Sequence, residues 1–250
     1  MYESEVAGAQ ANAALQDRGF CILPSRFSRR IIESVREGFR PVLLDYLDKN
    51  TDRPNRGPHR YCLPLPFHPP CFAPELFFDA EVLRIVTAAM GARVVADQWH
   101  CDVPLRGSIC QAMHADYQRP LFEENPDLAL PPYMLAVSFP LVEIAGENGP
   151  IEIAPGTHRM PRAAALDAVE EGRIGIEAVP LTPGDVLIRH PWALHRGTPN
   201  TTGTPRALAT IRYVRQWYTD DSRESGSIPR VVWESLSKEQ QSMMRFPIGA

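Results

Sequence analysis

Hydrophobic and polar positions follow two different periods along this chain, and the change falls at Gly91. Before it the spacing is mostly helical. Glu3 to Asp17 reads as a first helix closed by Gly19, a residue suited to a C-terminal cap. Phe20 to Leu23 is a short strand stopped by Pro24. Ser28 then caps a second helix with Ile32, Val35, Phe39, Leu43 and Tyr46 along one face, and Pro41 is expected to kink or split it. Thr51 to Pro74 turns polar and then rich in proline and aromatics, the texture of an ordered loop. Glu75 to Met90 reads as a third helix.

After Gly91 the period shortens to two. Val94–Asp97, Ile109–Met113, Tyr133–Val142, Ile151–Ala154, Ile174–Val179, Val186–Ile188 and Ala209–Trp217 read as short strands between Gly, Pro and Asn turns. Many short strands so spaced predict an antiparallel sandwich or barrel. The tail returns to helix, with Pro229 at a first position and a capping box from Ser237 to Gln240. The expected fold is mainly β with flanking α: a jelly-roll, cupin-like barrel with N-terminal helices packed on it. One domain would comprise a helical part and Pro-rich loop over 1–90, a β core over 91–218 and a helical tail over 219–250.

Composition narrows the classes. The chain has 250 residues, 44% of them hydrophobic, enough for one sizeable core. A net charge of −4 without a basic run argues against nucleic acid and anionic membranes as partners. No run of about twenty apolar residues is present to span a bilayer. The acidic N-terminus lacks the basic and apolar regions of a signal peptide, so a cytoplasmic location is expected. Five scattered cysteines without a CxxC pair read as reduced thiols. A homodimer is compatible with the architecture, although no stripe marks an interface.

Candidate chemistry centres on Pro183 to Arg215. His195 follows one strand and Arg206 precedes the next, so an imidazole and a guanidinium can share a cavity. The first can bind a metal, and the second is shaped to grip a carboxylate with two prongs. A strand supplies two metal ligands at i and i+2 on one side. His114-Ala115-Asp116 has that spacing, and so does His100-Cys101-Asp102. Context favours His114, which follows ICQAM and precedes a long Pro-rich loop. His100 reads as a polar strand end on the preceding arm of a hairpin turning near Gly107.

HADY, ENGPIEIAPGTHR, PGDVLI, and His195 with Arg206 eleven residues on together resemble the phytanoyl-CoA dioxygenase family, over roughly Phe20 to Tyr218. The resemblance implies a double-stranded β-helix using Fe(II), 2-oxoglutarate and O2. It implies that His114, Asp116 and His195 bind iron and that Arg206 takes the distal carboxylate of 2-oxoglutarate. Gln111 matches a position that contacts the cosubstrate, and Asn148 is a further candidate. Many relatives carry a serine where this chain has Gly197, with Thr198 the residue available to compensate. The implied activity is oxidation of a C–H bond in a small-molecule substrate, most simply hydroxylation, with release of succinate and CO2. Because Asp116 is a carboxylate, no position is left for chloride, and halogenation is not expected.

Thr51–Pro74 and Gln118–Pro132 are the expected lid. Their arginines (Arg56, Arg60, Arg119) and aromatics (Tyr61, Phe67, Phe72, Phe122) suit a small organic substrate bearing an anion, such as a secondary metabolite or an amino-acid derivative. His158 reads as structural, and His190 as near the site or exposed. His59 and His68 could meet substrate or solvent, and Trp99, Trp192 and Trp217 are expected in the core. Two other readings stay open. One is a metal-dependent cupin enzyme that does not use 2-oxoglutarate, leaving Arg206 in a structural ion pair; the other is a non-catalytic barrel that only binds.

Overall fold

The computed structural model describes residues 2–49, 54–116, 121, 130–220 and 226–249. Helix α1 (Tyr2–Arg18) leads into strand β1 (Phe20–Leu23), and α2 (Arg29–Lys49) into β2 (Arg60–Pro64). Helices α3 (Pro74–Phe77) and α4 (Ala80–Met90) precede β3 (Val94–Pro104) and β4 (Met134–Pro140). Next come β5 (Ile151–Ile153), α5 (Arg162–Glu170), β6 (Glu177–Val179), β7 (Val186–Arg189), β8 (His195–Gly197), β9 (Leu208–Arg215), α6 (Arg230–Ser235) and α7 (Lys238–Ser242). The strands form a six-stranded sheet ordered β1-β7-β4-β9-β3-β2 and a three-stranded sheet ordered β6-β5-β8. Every pairing is antiparallel. This is the expected mainly-β fold with flanking helices. Among the described residues the two sheets stay separate instead of closing into one hydrogen-bonded barrel.

The period of two sorts the large sheet's side chains. Trp99, Cys101 and Val103 of β3, Ile211 and Tyr213 of β9, and Val137 and Phe139 of β4 join the main core with Ile32, Val35, Phe39, Ile85 and Val86 of the helices. Tyr213 also donates its hydroxyl to Phe77 O at 2.6 Å, tying the sheet to α3. The alternate positions, Gln98, His100, Asp102, Thr210, Arg212 and Ser138, line a cavity on the other face. A one-residue slip of any of the three strands would exchange its two sets.

Several expectations need correction. Helix α2 is not split: Pro41 lies inside it on the solvent side, where the carbonyl it leaves without a donor can bind water. The third helix is two, because Asp79 accepts hydrogen bonds from Glu81 N and Val82 N and starts α4 afresh. The Pro-rich loop hides β2, in which Pro64 is tolerated because the strand forms the sheet's edge. Strand β3 runs unbroken from Val94 to Pro104, which makes His100 a mid-strand residue. Ile109 to Met113 makes no hairpin with it and runs beside β8 instead, with Gln111 N donating to Gly197 O at 3.0 Å.

The tail follows the sequence reading: α6 starts after Pro229, and Ser237 and Gln240 exchange the two capping-box bonds at 3.1 and 2.9 Å. Trp99 is fully buried, but Trp217 is 60% exposed and belongs to the surface. None of the five cysteines is in a disulfide. No helix among the described residues is long and apolar enough to cross a membrane.

Candidate active site

Between the sheets lies a cavity of about 360 Å³, with His114, Asp116, His195, Arg189, Arg206 and Gln111 among its lining residues. Strand β8 organises one wall. His114 N donates to His195 O at 2.9 Å and His195 N returns the bond to His114 O at 2.8 Å, setting the two rings side by side. Asp116, two residues on, falls on the same side, and its N–H is tied to Pro191 O at 3.0 Å. One potential ligand atom from each of His114, Asp116 and His195 lies within 4.8 Å of the others.

The ring nitrogens show that these residues fit a metal. Nδ1 of His114 lies 2.8 Å from Ala112 O, and Nδ1 of His195 lies 2.9 Å from Ala193 O. A carbonyl accepts only, so each Nδ1 carries a proton and Nε2 is the nitrogen of each ring that can turn a lone pair to a cation. Burial raises the Asp116 carboxyl, but the Arg189 guanidinium at 2.7 Å and His195 outweigh it and hold the group well below the usual carboxylate range. Burial, and then His195, lowers His114. The set therefore offers two imidazoles and one carboxylate.

The opposite pole is cationic. Arg206, just ahead of β9, is only 3% exposed, and its backbone N–H is anchored on Pro104 O at 3.1 Å. Among the described residues its Nε and Nη1 have no hydrogen-bond partner. Burial and then the neighbouring Arg60 push its guanidinium down to about 10. Arg60, delivered by the unforeseen strand β2, gives Nη2 to Ile109 O at 3.2 Å and Thr198 O at 3.1 Å. Gln111 Oε1 accepts from Gly197 N at 3.0 Å, which brings its amide to the same corner. A Cβ built on Gly197 would collide with Arg60 Nη1 and stand 2.7 Å from Gln111 Oε1. The glycine is the space that Arg60 uses. Gly197→Ser should therefore displace the guanidinium and weaken binding of a dicarboxylate by about ten-fold, the effect of a disturbed supporting contact. A calorimetric titration with 2-oxoglutarate would check it.

Two residues expected at the cosubstrate have their side chains bonded elsewhere. Asn148 spends its amide on its own turn, accepting from Ala145 N at 2.9 Å and donating to Glu143 O, and does not line the cavity. Thr198 donates its hydroxyl to Pro150 O at 2.6 Å and does not stand in for the missing serine. His100 does line the cavity and forms a second cluster with Cys62 and Asp102. Arg56 and Arg60, on the same wall, disfavour a further cation there. His59 and His68 are exposed and away from the cavity, and Tyr61, Phe67 and Phe72 are buried in the main core. Arg119 and Phe122 lie outside the described residues.

His158 ties its Nε2 to Gln16 O at 3.1 Å, the structural role expected of it. His190 is buried, and its Nδ1 accepts from Trp192 N at 3.2 Å. Burial first, then His158 and Arg189, lowers His190 to about 3. The unfolded chain would protonate it near its ordinary value while the folded chain does not, so stability falls as pH drops from about 6.5 toward 3. His190→Asn, which keeps an acceptor for Trp192 N, should flatten that decline by on the order of a few kcal/mol, read from urea melts against pH.

The family model of phytanoyl-CoA dioxygenase (PhyH) matches residues 15–208. Dioxygenase FrzG of Cladobotryum sp. is 27% identical over 145 residues, 56% of this chain and 47% of that protein, so the match spans about half the relative's length. Among solved structures, AviO1 of Streptomyces viridochromogenes Tue57 superposes with a TM-score of 0.62 at 18% identity, covering 85% of this chain and 96% of that one. HygX of Streptomyces hygroscopicus, solved with nickel, 2-oxoglutarate and hygromycin B bound, gives a TM-score of 0.62 at 18% identity over 87% and 94% of the two chains. At such identities the likeness to the solved structures is one of fold.

Proposed function

This chain belongs to the phytanoyl-CoA dioxygenase family, and we propose that it is an Fe(II)- and 2-oxoglutarate-dependent dioxygenase that oxidises a C–H bond of a small organic molecule, most simply to an alcohol, with release of succinate and CO2. The observation that carries the reading is the convergence in one cavity of His114, Asp116 and His195 with a buried Arg206 whose Nε and Nη1 lack partners. Bound iron, with 2-oxoglutarate and O2, supplies the oxidising power that such an unactivated bond requires.

The protein's own residues hold metal and cosubstrate. His114, Asp116 and His195 would hold the metal from one wall of the cavity. Arg206 takes the distal carboxylate in a paired, charge-assisted grip, with Arg60 and Gln111 beside it. Arg189 is paired with Asp116, and Arg212 with Asp97 and Asp220, while Arg56 and Arg60 remain on the wall opposite Asp102. That surplus of cations favours a substrate carrying a carboxylate or another anion. HygX, with hygromycin B bound, supports a secondary-metabolite substrate by analogy of fold.

The cupin reading leaves Arg206 in a structural ion pair, yet two of its nitrogens have no partner among the described residues. The test is an anaerobic titration of metal-free protein with Fe(II) and then 2-oxoglutarate, watching for the visible charge-transfer band of a chelated keto acid. Metal bound without a band would favour the cupin. Succinate release in a substrate screen would then identify the molecule oxidised.

A further inference from the structure

Arg189 ends β7, between β1 and β4, in register with Phe20 and Ala136. It is 8% exposed, and its Nη2 holds Asp116 Oδ2 at 2.7 Å. The other carboxylate oxygen, Oδ1, lies 3.3 Å from His195 Nε2, the nitrogen free to bind metal. Arg189 Nη1 stands 3.1 Å from His195 Nδ1, which donates to Ala193 O, and reaches His190 O at 3.5 Å, so Asp116 is the side-chain acceptor of the guanidinium, through Nη2. Neither side of the contact is loose: the arginine sits in a sheet, and Asp116 N is bonded to Pro191 O two residues beyond it.

We infer that Arg189 is a positioning residue of the metal centre: by engaging Oδ2 it confines Asp116 to one-oxygen coordination through Oδ1. A carboxylate free to turn could chelate the cation with both oxygens and fill one of the three positions that a keto acid and dioxygen need. The inference rests on the proposed metal site. It also explains how an aspartate at a cavity's edge, its side chain 36% exposed, is kept in one orientation.

Arg189→Met and Arg189→Lys would be compared with wild type as Mn(II)-loaded proteins, with a thermal melt of each. In the Met variant, Mn(II) affinity should hold within a few-fold, because the released oxygen becomes a ligand. Water-proton relaxivity per bound Mn(II) should fall by about one third, one of three open positions being lost. Affinity for 2-oxoglutarate should drop by about ten-fold or more, the effect of removing a residue that orients a ligand. The Lys variant, which restores a cation at Oδ2, should recover most of both. Wild-type relaxivity and cosubstrate affinity in the Met variant would overturn the inference. So would joint loss of metal, cosubstrate and melting temperature that lysine does not rescue. Wild-type protein that binds no Mn(II) would instead overturn the metal-site reading beneath it.

Discussion

His114→Ala is expected to lower Fe(II) affinity by about 100-fold or more and to remove turnover, whereas His100→Ala should keep the metal. The two residues begin identical H-x-D tripeptides, and both line the cavity, so composition alone does not separate them. Geometry does. His114 has its Nδ1 committed to Ala112 O and lies beside Asp116 and His195. His100 has Cys62 and Asp102 for company and stands on a wall that also carries Arg56, Arg60 and Arg206. A cation placed there would meet Asp102 but also the guanidiniums of Arg56 and Arg212, while one placed at His114 meets Asp116, already balanced by Arg189 alone, and two imidazoles. Burial holds His100 below its ordinary range, so neutralising it by mutation removes little charge. Isothermal titration of both variants with Fe(II) under anaerobic conditions decides the matter. Metal retained by His114→Ala but lost by His100→Ala would move the centre to the other tripeptide.

What the sequence made legible follows from how local each signal is. The i and i+2 spacing of His114 and Asp116 needs only a locally extended backbone, so it survived even though Ile109 to Met113 pairs with β8 and not with β3. Arg206 was legible because it opens a strand with a clear β-branched run. Arg60 was not placed, since β2 lies in a stretch whose prolines read as loop, and an edge strand tolerates Pro64 where a central strand would not. Asp79 breaks an apolar pattern that otherwise continues from Glu75 to Met90, and a cap of two N–H bonds outweighs the periodicity. Asn148 shows the opposite: its amide satisfies the nearest backbone first, a local bond that the sequence pattern does not display.

Arg189 illustrates a different limit. Its neighbours in sequence are apolar β7 residues, and nothing in VLIRHP marks the arginine as a partner of Asp116, 73 residues earlier. Only the crossing of β7 beside the β8 wall brings the two together. Likewise the gap left by Gly197 has meaning only once Arg60 is seen to fill it. Contacts of this kind depend on strand order, which a single sequence does not display.

Arg206→Met should make the ligand-free protein more stable while abolishing its response to 2-oxoglutarate. The arginine is buried, is pushed down to about 10 by desolvation and Arg60, and leaves Nε and Nη1 without acceptors. An uncompensated buried cation is destabilising, and a hydrophobic side chain of similar length removes that penalty, a change on the order of 1 kcal/mol or more in favour of the fold. The same substitution removes the grip on the distal carboxylate. Truncating one partner of a buried, hydrogen-bonded charge pair weakens binding by about 100-fold or more. Lysine should fall between, since one ammonium cannot reproduce the two-pronged contact. A thermal melt reads both effects at once. Saturating 2-oxoglutarate with Mn(II) should raise the wild-type Tm, by about 2.7 kcal/mol of stabilisation at 100 times Kd, and leave the Met variant, already higher without ligand, where it stands. If the variant shifts as far as wild type, Arg206 does not hold the cosubstrate; if it melts lower without ligand, the guanidinium has acceptors that its burial conceals.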